Sequence, residues 1–251
     1  MQFINRAPFT IYHFTRLGST NDYLKKQLDA PEFTCVIADE QTAGRGRRTR
    51  TWVSPPGAGL YLSVLLCPPT VANSASLSLL AAVTVAETIA EYKVAALDIK
   101  WPNDVLIGER KVCGILVEGA SGGTPAQRII VGIGVNLNQQ QFPTEISAIA
   151  TSLALQLGRT VNVDEFRDRL LRRLAHWYNC WQGDAGRSVI DRWQQLSSYA
   201  RGQQVAVNFD DGHLTGATAG LTKDGALILR LPDGTTRVLL SGEVTRLRKN
   251  P

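Results

Sequence analysis

The chain has 251 residues, 44% of them hydrophobic and 20% charged, with a formal net charge of +5. That length suits one large domain, or one domain with a small appendage, and is enough to bury a substantial core. No apolar run reaches the roughly 18–20 residues of a membrane span, and the N-terminus MQFINRAPFTIYHF lacks a signal-peptide pattern. The expectation is a cytoplasmic protein with no membrane partner. The positive balance suits a nucleic acid, an anionic nucleotide or an acidic protein, but no helix-turn-helix or RNA-recognition signature accompanies it. Cys35, Cys67, Cys113 and Cys180 are widely spaced, with no C-x-x-C pair, and three lie in apolar strand-like runs. They read as reduced thiols rather than disulfides or a metal site. His13, His176 and His213 show no ligand spacing, and His176, in an apolar helical pattern, reads as structural.

Ile11–Phe14 begins the chain as a short strand. Ser19 or Thr20 then caps a helix carrying Tyr23, Leu24 and Leu28, and capping alone would account for both hydroxyl residues. Cys35–Ala38 and Leu60–Leu66 read as buried strands. Between them, GRGRRTR at Gly44–Arg50 puts four arginines and two glycines into seven residues. Such a heptad buries no apolar face. Glycine permits close backbone approach to a ligand, and arginine offers a planar donor fork for carboxylate or phosphate. The segment reads as a mobile cationic loop, either a solvated basic turn or an anion site. Trp52 follows it and reads as a core aromatic.

Ser74–Tyr92 is helical, with Leu77, Leu80, Ala81, Thr84, Val85 and Ile89 near one face. Ala96–Lys100 is a strand, Val105–Ile107 continues it after a polar corner, and a Gly108–Arg110 turn returns the chain as Lys111–Glu118. This arrangement puts Asn103, Asp104 and Lys111 near one rim. Arg128–Val135 is a buried strand in which Gly132 and Gly134 imply a close backbone approach, and Asn136 follows as a turn cap. A helix from Thr151 stops at Gly158. Phe166, Leu170, Leu174, Trp177, Tyr178 and Trp181 form a core stripe, with Arg167, Arg169, Arg172 and Arg173 on a solvated face. Val189, Ile190 and Trp193 mark another helix. After Ser197 come five short strands (Val205–Val207, His213–Leu221, Leu227–Leu231, Arg237–Leu240, Val244–Leu247). The turns between them include Asp210-Asp211-Gly212, Lys223-Asp224-Gly225 and Pro232-Asp233-Gly234, a pattern that reads as a small β-barrel.

In order, STND, DEQTAGRGR, KWPND, KVCGILVE and GIGVN resemble the signature segments of the biotin protein ligases. These enzymes make biotinyl-5′-adenylate and pass the biotin to a carrier lysine. Thr49 stands where that family usually has a third glycine, which bears on loop flexibility. The resemblance covers nearly the whole chain. It implies an α+β fold, with a class II synthetase-like mixed sheet packed with helices over 1–199 and an SH3-like barrel over 200–251. With the pattern starting by Phe14, it implies the ligase-only form, without an N-terminal DNA-binding domain and without specific DNA as a partner.

By the same resemblance, biotin is bound by Ser19, Thr20, Asn21, Gln41, Gly44, Arg45, Gly46, Arg47, Lys111 and Gly114. Ser19, Thr20 and Gln41 suit a ureido ring because they both donate and accept. The nucleotide falls to Arg45, Arg47, Arg48, Trp52, Asn103 and Asn136. Lys111, Arg47 and Asp104 are the expected catalytic set. Asp104 either positions a metal or orients the carrier lysine. Mg²⁺ accompanies ATP, and no protein metal site is expected. The partner is the biotin carboxyl carrier protein of acetyl-CoA carboxylase, and the enzyme is a monomer or weak homodimer. Two alternatives stand beside this reading, a lipoate or octanoate ligase or transferase of the related fold and a nucleic-acid-binding module.

Overall fold

The computed structural model describes residues 1–68, 74–120, 127–209 and 212–247. An antiparallel hairpin opens it, formed by β1 (Gln2–Arg6) and β2 (Phe9–Leu17). β1 carries no sequence signal because four of its five residues are exposed, leaving no buried face to set a pattern. α1 (Thr20–Lys25) starts at the N-cap Ser19, whose Oγ accepts the Asp22 N–H at 3.4 Å. It is shorter than expected. The Gln27 N–H bonds Leu24 O and the Ala30 N–H bonds Gln27 O, turning the chain toward Pro31, so Leu28 lies outside the helix and is 55% exposed.

β3 (Thr34–Gln41), β4 (Gly59–Leu66), α2 (Ser74–Ala90), β5 (Leu97–Lys100), β6 (Asp104–Ile107), β7 (Arg110–Ala120) and β8 (Arg128–Asn136) complete the main sheet and its first large helix. The strand order is β1-β2-β3-β4-β8-β7-β6-β5, and only the β2–β3 pair is parallel. β6 does not continue β5 but reverses against it, pairing Lys100 with Asp104. Strand residues alternate between faces. Cys35, Ile37, Leu62, Val64, Val131 and Ile133 join the large core with α2, α5 (Val163–Asp184) and α6 (Arg187–Leu196). Val36, Leu65 and Ile130 face the other way, onto Leu24 of α1. The sheet therefore has a thickly covered face and a thinly covered one, and the thin face carries the site.

Between β8 and α5 lie α3 (Thr144–Ser147) and α4 (Leu153–Leu157). α4 is capped by Ser152 and stopped by Gly158 at φ +68. The α5 stripe is buried as expected at Phe166, Leu170, Leu174, Tyr178 and Trp181. One expectation on α5 fails. Arg167 is only 5% exposed, because Asp164 and Asp168 on its own helix hold its guanidinium at 2.5 and 2.8 Å and let the stem bury. His176, read as structural from its apolar helical pattern, is exposed and lies edge-on to Trp177.

β9 (Arg201–Asn208), β10 (His213–Leu221), β11 (Leu227–Arg230), β12 (Thr236–Leu239) and β13 (Glu243–Arg246) form an antiparallel sheet in the order β12-β11-β10-β9-β13. Among the described residues no ladder joins β12 to β13, so the strand pairing does not run full circle. Asp210 and Asp211 of the expected first turn lie outside the described residues. This sheet shares the large core through Val205, Val207, Leu229 and Val244, and the Trp101 indole N–H donates to Gly225 O at 3.0 Å. Among the described residues no helix is long and apolar enough to cross a membrane.

Candidate functional site

Two hollows meet on the thin face. The smaller, about 50 Å³, is lined by Ser19, Thr20, Asn21, Gln41, Arg45, Gly114, Gly132 and Gly134, among others. The larger, about 480 Å³, runs between the main sheet and the C-terminal sheet. Gly46, Arg47, Trp52, Asn103 and Lys111 line both and so form the junction. Of the residues expected to hold biotin, all but Gly44 line the small hollow. Gly44 instead lets the loop close on itself, since a Cβ there would sit 2.4 Å from Trp52 O. Of those expected at the nucleotide, Arg47, Arg48, Trp52, Asn103 and Asn136 line the large cleft, and Arg45 does not.

The small hollow is polar by construction. Gln41 Oε1 accepts from the Thr20 N–H at 2.9 Å and lies 3.1 Å from Thr20 Oγ1, while Gln41 Nε2 donates to Ser54 Oγ at 3.0 Å. Ser63, fully buried in the otherwise apolar β4, lies 2.5 Å from Asn21 Oδ1 and 2.7 Å from Thr20 Oγ1. Its single proton goes to the amide oxygen, leaving the Thr20 hydroxyl to donate. Asn21 Nδ2 donates to Glu118 Oε2 at 2.8 Å. The backbones come this close only because β8 is bare at two positions. A Cβ on Gly132 would meet Asn21 Oδ1 at 2.3 Å, and one on Gly134 would meet Trp52 Nε1 at 2.3 Å.

Lys111 reaches the junction through a backbone irregularity. In the β6–β7 ladder Val105 pairs with Cys113 but Leu106 pairs with Lys111, so Val112 is an extra residue. In a regular strand, residues 111 and 114 face opposite ways. Here the Lys111 side chain runs over Gly114, and a Cβ there would sit 3.1 Å from Nζ. The Lys111 N–H also bonds Ile149 O at 2.7 Å, tying the segment after α3 to the site. Nζ lies 2.6 Å from Asp104 Oδ1 and 5.4 Å from the centre of the Trp52 ring. Asp104 Oδ2 lies 3.4 Å from Lys100 Nζ. Burial opposes charge on Asp104, but the two lysines outweigh it and lower its pKa below the ordinary value. Asp104 therefore orients two ammonium groups, and among the described residues no cluster of three or more His, Cys, Asp or Glu is arranged to hold a metal.

The arginine loop is held to the rest of the chain through Arg45, Arg47 and Arg50. Arg45 donates to both oxygens of Asp22 (3.3 and 2.6 Å) and both of Glu118 (3.0 and 2.7 Å). Lys25 Nζ adds a bond of 2.7 Å to Glu118. Burial would raise the pKa of Glu118, but the Arg45, Lys25 and Asn21 donors pull it from 4.5 to about 2. Arg47 differs. Its Nη1 donates to Asn103 Oδ1 at 3.2 Å and Gly242 O at 3.4 Å, both neutral, and burial lowers its pKa from 12.5. Arg50 forks onto Glu243 of β13 at 2.7 and 2.5 Å. At the apex Arg48 and Thr49 have φ +52 and +58, a conformation that glycine adopts without the cost borne by a β-branched residue.

The sequence reading missed several site residues. Phe142, Ile146 and Ile149 line one side of the large cleft, and Tyr199 and Glu243–Arg246 line another part. A signal existed for the first three, an i, i+4, i+7 apolar spacing in FPTEISAI. Ser63 was visible as the one serine in LYLSVLL, and Glu118 as the close of KVCGILVE.

Residues 13–136 match the model of the biotin/lipoate A/B protein ligase family, and residues 201–246 match that of the biotin protein ligase C-terminal domain. A biotin–acetyl-CoA-carboxylase ligase of Paracoccus denitrificans is 36% identical over 238 residues, covering 91% of this chain and 97% of that protein. The bifunctional ligase/repressor BirA of Bacillus subtilis is 35% identical over 215 residues. That match covers 84% of this chain but spans only 65% of the relative's length. The biotin protein ligase of Aquifex aeolicus, solved with biotin and ATP, superposes with a TM-score of 0.83 at 31% identity, covering 95% of this chain and 99% of that one.

Proposed function

The chain belongs to the biotin protein ligase family, and on that premise we propose that it activates biotin with ATP and transfers it to a carrier lysine. The observation that carries this reading is the junction, where a small polar hollow and a large cleft meet at Lys111, Arg47, Trp52 and Asn103. In this reading the ureido ring enters the hollow, against Thr20, Gln41 and the Ser63-anchored Asn21. The nucleotide fills the cleft, its base against Phe142, Ile146 and Ile149 and its phosphates toward Arg47 and Arg48.

The chemistry brings a carboxylate against an α-phosphate. Two such charges 4 Å apart repel by about 4 kcal/mol at an effective dielectric near 20. Lys111, held by Asp104 at 2.6 Å, takes the carboxylate. Arg47, bonded to neutral groups, faces the charge that develops on phosphate. The carboxylate oxygen bonds to phosphorus, pyrophosphate leaves, and the carrier amine later attacks the acyl carbon and expels AMP. Mg²⁺ enters with ATP as part of the substrate, and Asp104 orients Lys111. The carrier, of the biotin carboxyl carrier type, presents its lysine at the rim of the junction, and ATP-dependent work suits a cytoplasmic setting. We assign the catalytic unit to residues 1–199 and the C-terminal unit to 200–251.

Lipoate and octanoate carry no ureido group and would leave the paired polar groups of the hollow without a partner. Pyrophosphate release with ATP and biotin, lipoate or octanoate tests the proposal. Release with biotin alone is expected, and release with lipoate or octanoate instead overturns it.

A further inference from the structure

We propose that Glu118 is a positioning residue that latches the arginine loop shut over the polar hollow. It lines neither cavity itself. Its carboxylate nevertheless gathers donors from three residues on two elements, Arg45 of the loop and Lys25 and Asn21 of α1, and so joins the loop to the helix that supplies Thr20 and Asn21 and is capped by Ser19. It lies on β7 beyond Gly114, where the β6 ladder ends, with a side chain only 19% exposed. Arg45 sits between Glu118 and Asp22 with its fork on both.

The charges of this group balance. Arg45 and Lys25 face Asp22 and Glu118, so the latch holds the loop in place without adding net charge to the hollow. The positive field at the junction is left to Arg47 and to Lys111 and Lys100, which share the single carboxylate of Asp104. Arg45 thus acts on closure, not on the reacting phosphate, and Glu118 acts through Arg45. The same carboxylate fixes Asn21, whose oxygen is held by Ser63 and pressed against Gly132, so closure of the loop and the shape of the hollow depend on one group.

The functional part of this inference rests on the biotinyl-adenylate reading; the latch itself is tested independently of it. Tryptic cleavage at Arg47–Arg50 in the unliganded protein reports loop opening. Glu118→Gln, which keeps an acceptor for Asn21 but loses the charge pair, should be cut about tenfold faster or more, as should Arg45→Ala, and the double variant no faster than either alone. Lys25→Met, which removes the bond on the far side, should be cut like wild type. In a single turnover with biotin and ATP, Glu118→Gln should release biotinyl-adenylate about tenfold faster and raise KM for biotin, with its formation rate at saturation within about twofold. Wild-type cleavage of Glu118→Gln, or effects of Glu118→Gln and Arg45→Ala that multiply in the double variant, would overturn the latch. Wild-type protein that makes no adenylate but shows the expected cleavage pattern would overturn the biotin reading and leave the latch standing.

Discussion

Arg45 and Arg47 are two residues apart in one loop, yet their surroundings are opposite. Arg45 has two carboxylates and four hydrogen bonds, and its pKa is raised first by the Glu118 bond. Arg47 has neutral partners and a pKa lowered by burial. A paired cation stabilises its own fold and presents little field. A desolvated cation without a direct counter-ion costs stability and is available to an incoming anion. The residue type is the same, and the difference comes from what α1 and β7 bring to Arg45 and what the turn at Asn103 and the backbone of Gly242 bring to Arg47.

Lys111 tests the boundary between the two cases, because it is both paired and at the junction. Lys111→Ala leaves the largely buried Asp104 with Lys100 alone at 3.4 Å. Removing one partner of such a pair should cost about 3 kcal/mol of stability, read as a shift in denaturant midpoint. It should also weaken biotin binding in a titration. Unchanged biotin affinity would remove Lys111 from the carboxylate and leave it a purely structural lysine.

The latch end has a pH signature. Glu118 has a folded-state pKa of about 2 against an ordinary 4.5. A depressed carboxylate pKa means stability that is fully present above 4.5 and is lost as pH falls from 4.5 toward 2. The gap in unfolding free energy between wild type and Glu118→Gln should therefore be constant near neutrality and narrow below pH 4.5. A gap that stays constant down to the acid transition would mean that the charge on Glu118 does not hold the latch. The apex between the two ends gives the smallest effect. Thr49 sits at φ +58, and Thr49→Gly relieves that strain against the entropy of an added glycine, for a net gain of about 1 kcal/mol or less. Loss of stability would show that Thr49, through its 2.6 Å bond to Arg48 O, holds the apex in place.

Much of this comparison was legible in the sequence, and its decisive part was not. The strands β3, β4 and β8 announced themselves as apolar runs, and Gly132 and Gly134 correctly marked close approach because only a bare backbone admits Asn21 and Trp52. The loop was plain as a cationic segment, but its four arginines looked alike, since nothing local distinguishes a position that will meet Asp22 and Glu118 from one that will meet Gly242. The bulge at Val112, which turns Lys111 onto Gly114, depends on ladder register across the β6–β7 hairpin. Arg167 was misread because its two acidic neighbours satisfy it within one helix and free its stem to bury. The β1 edge and the Phe142–Ile149 wall acquire meaning only from what packs beside them.

The contrast between the two arginines is tested most directly by one rapid-quench measurement on Arg45→Ala and Arg47→Ala, following formation and release of biotinyl-adenylate in a single turnover. A crossed pattern is expected. Arg47→Ala should slow formation about tenfold or more, from the loss of a charge-assisted contact of roughly 1.5–3 kcal/mol. Arg45→Ala should form the intermediate at close to the wild-type rate and let it escape. Equal losses of formation rate in both variants would contradict it, and would mean that the loop delivers its charge as a whole rather than through Arg47.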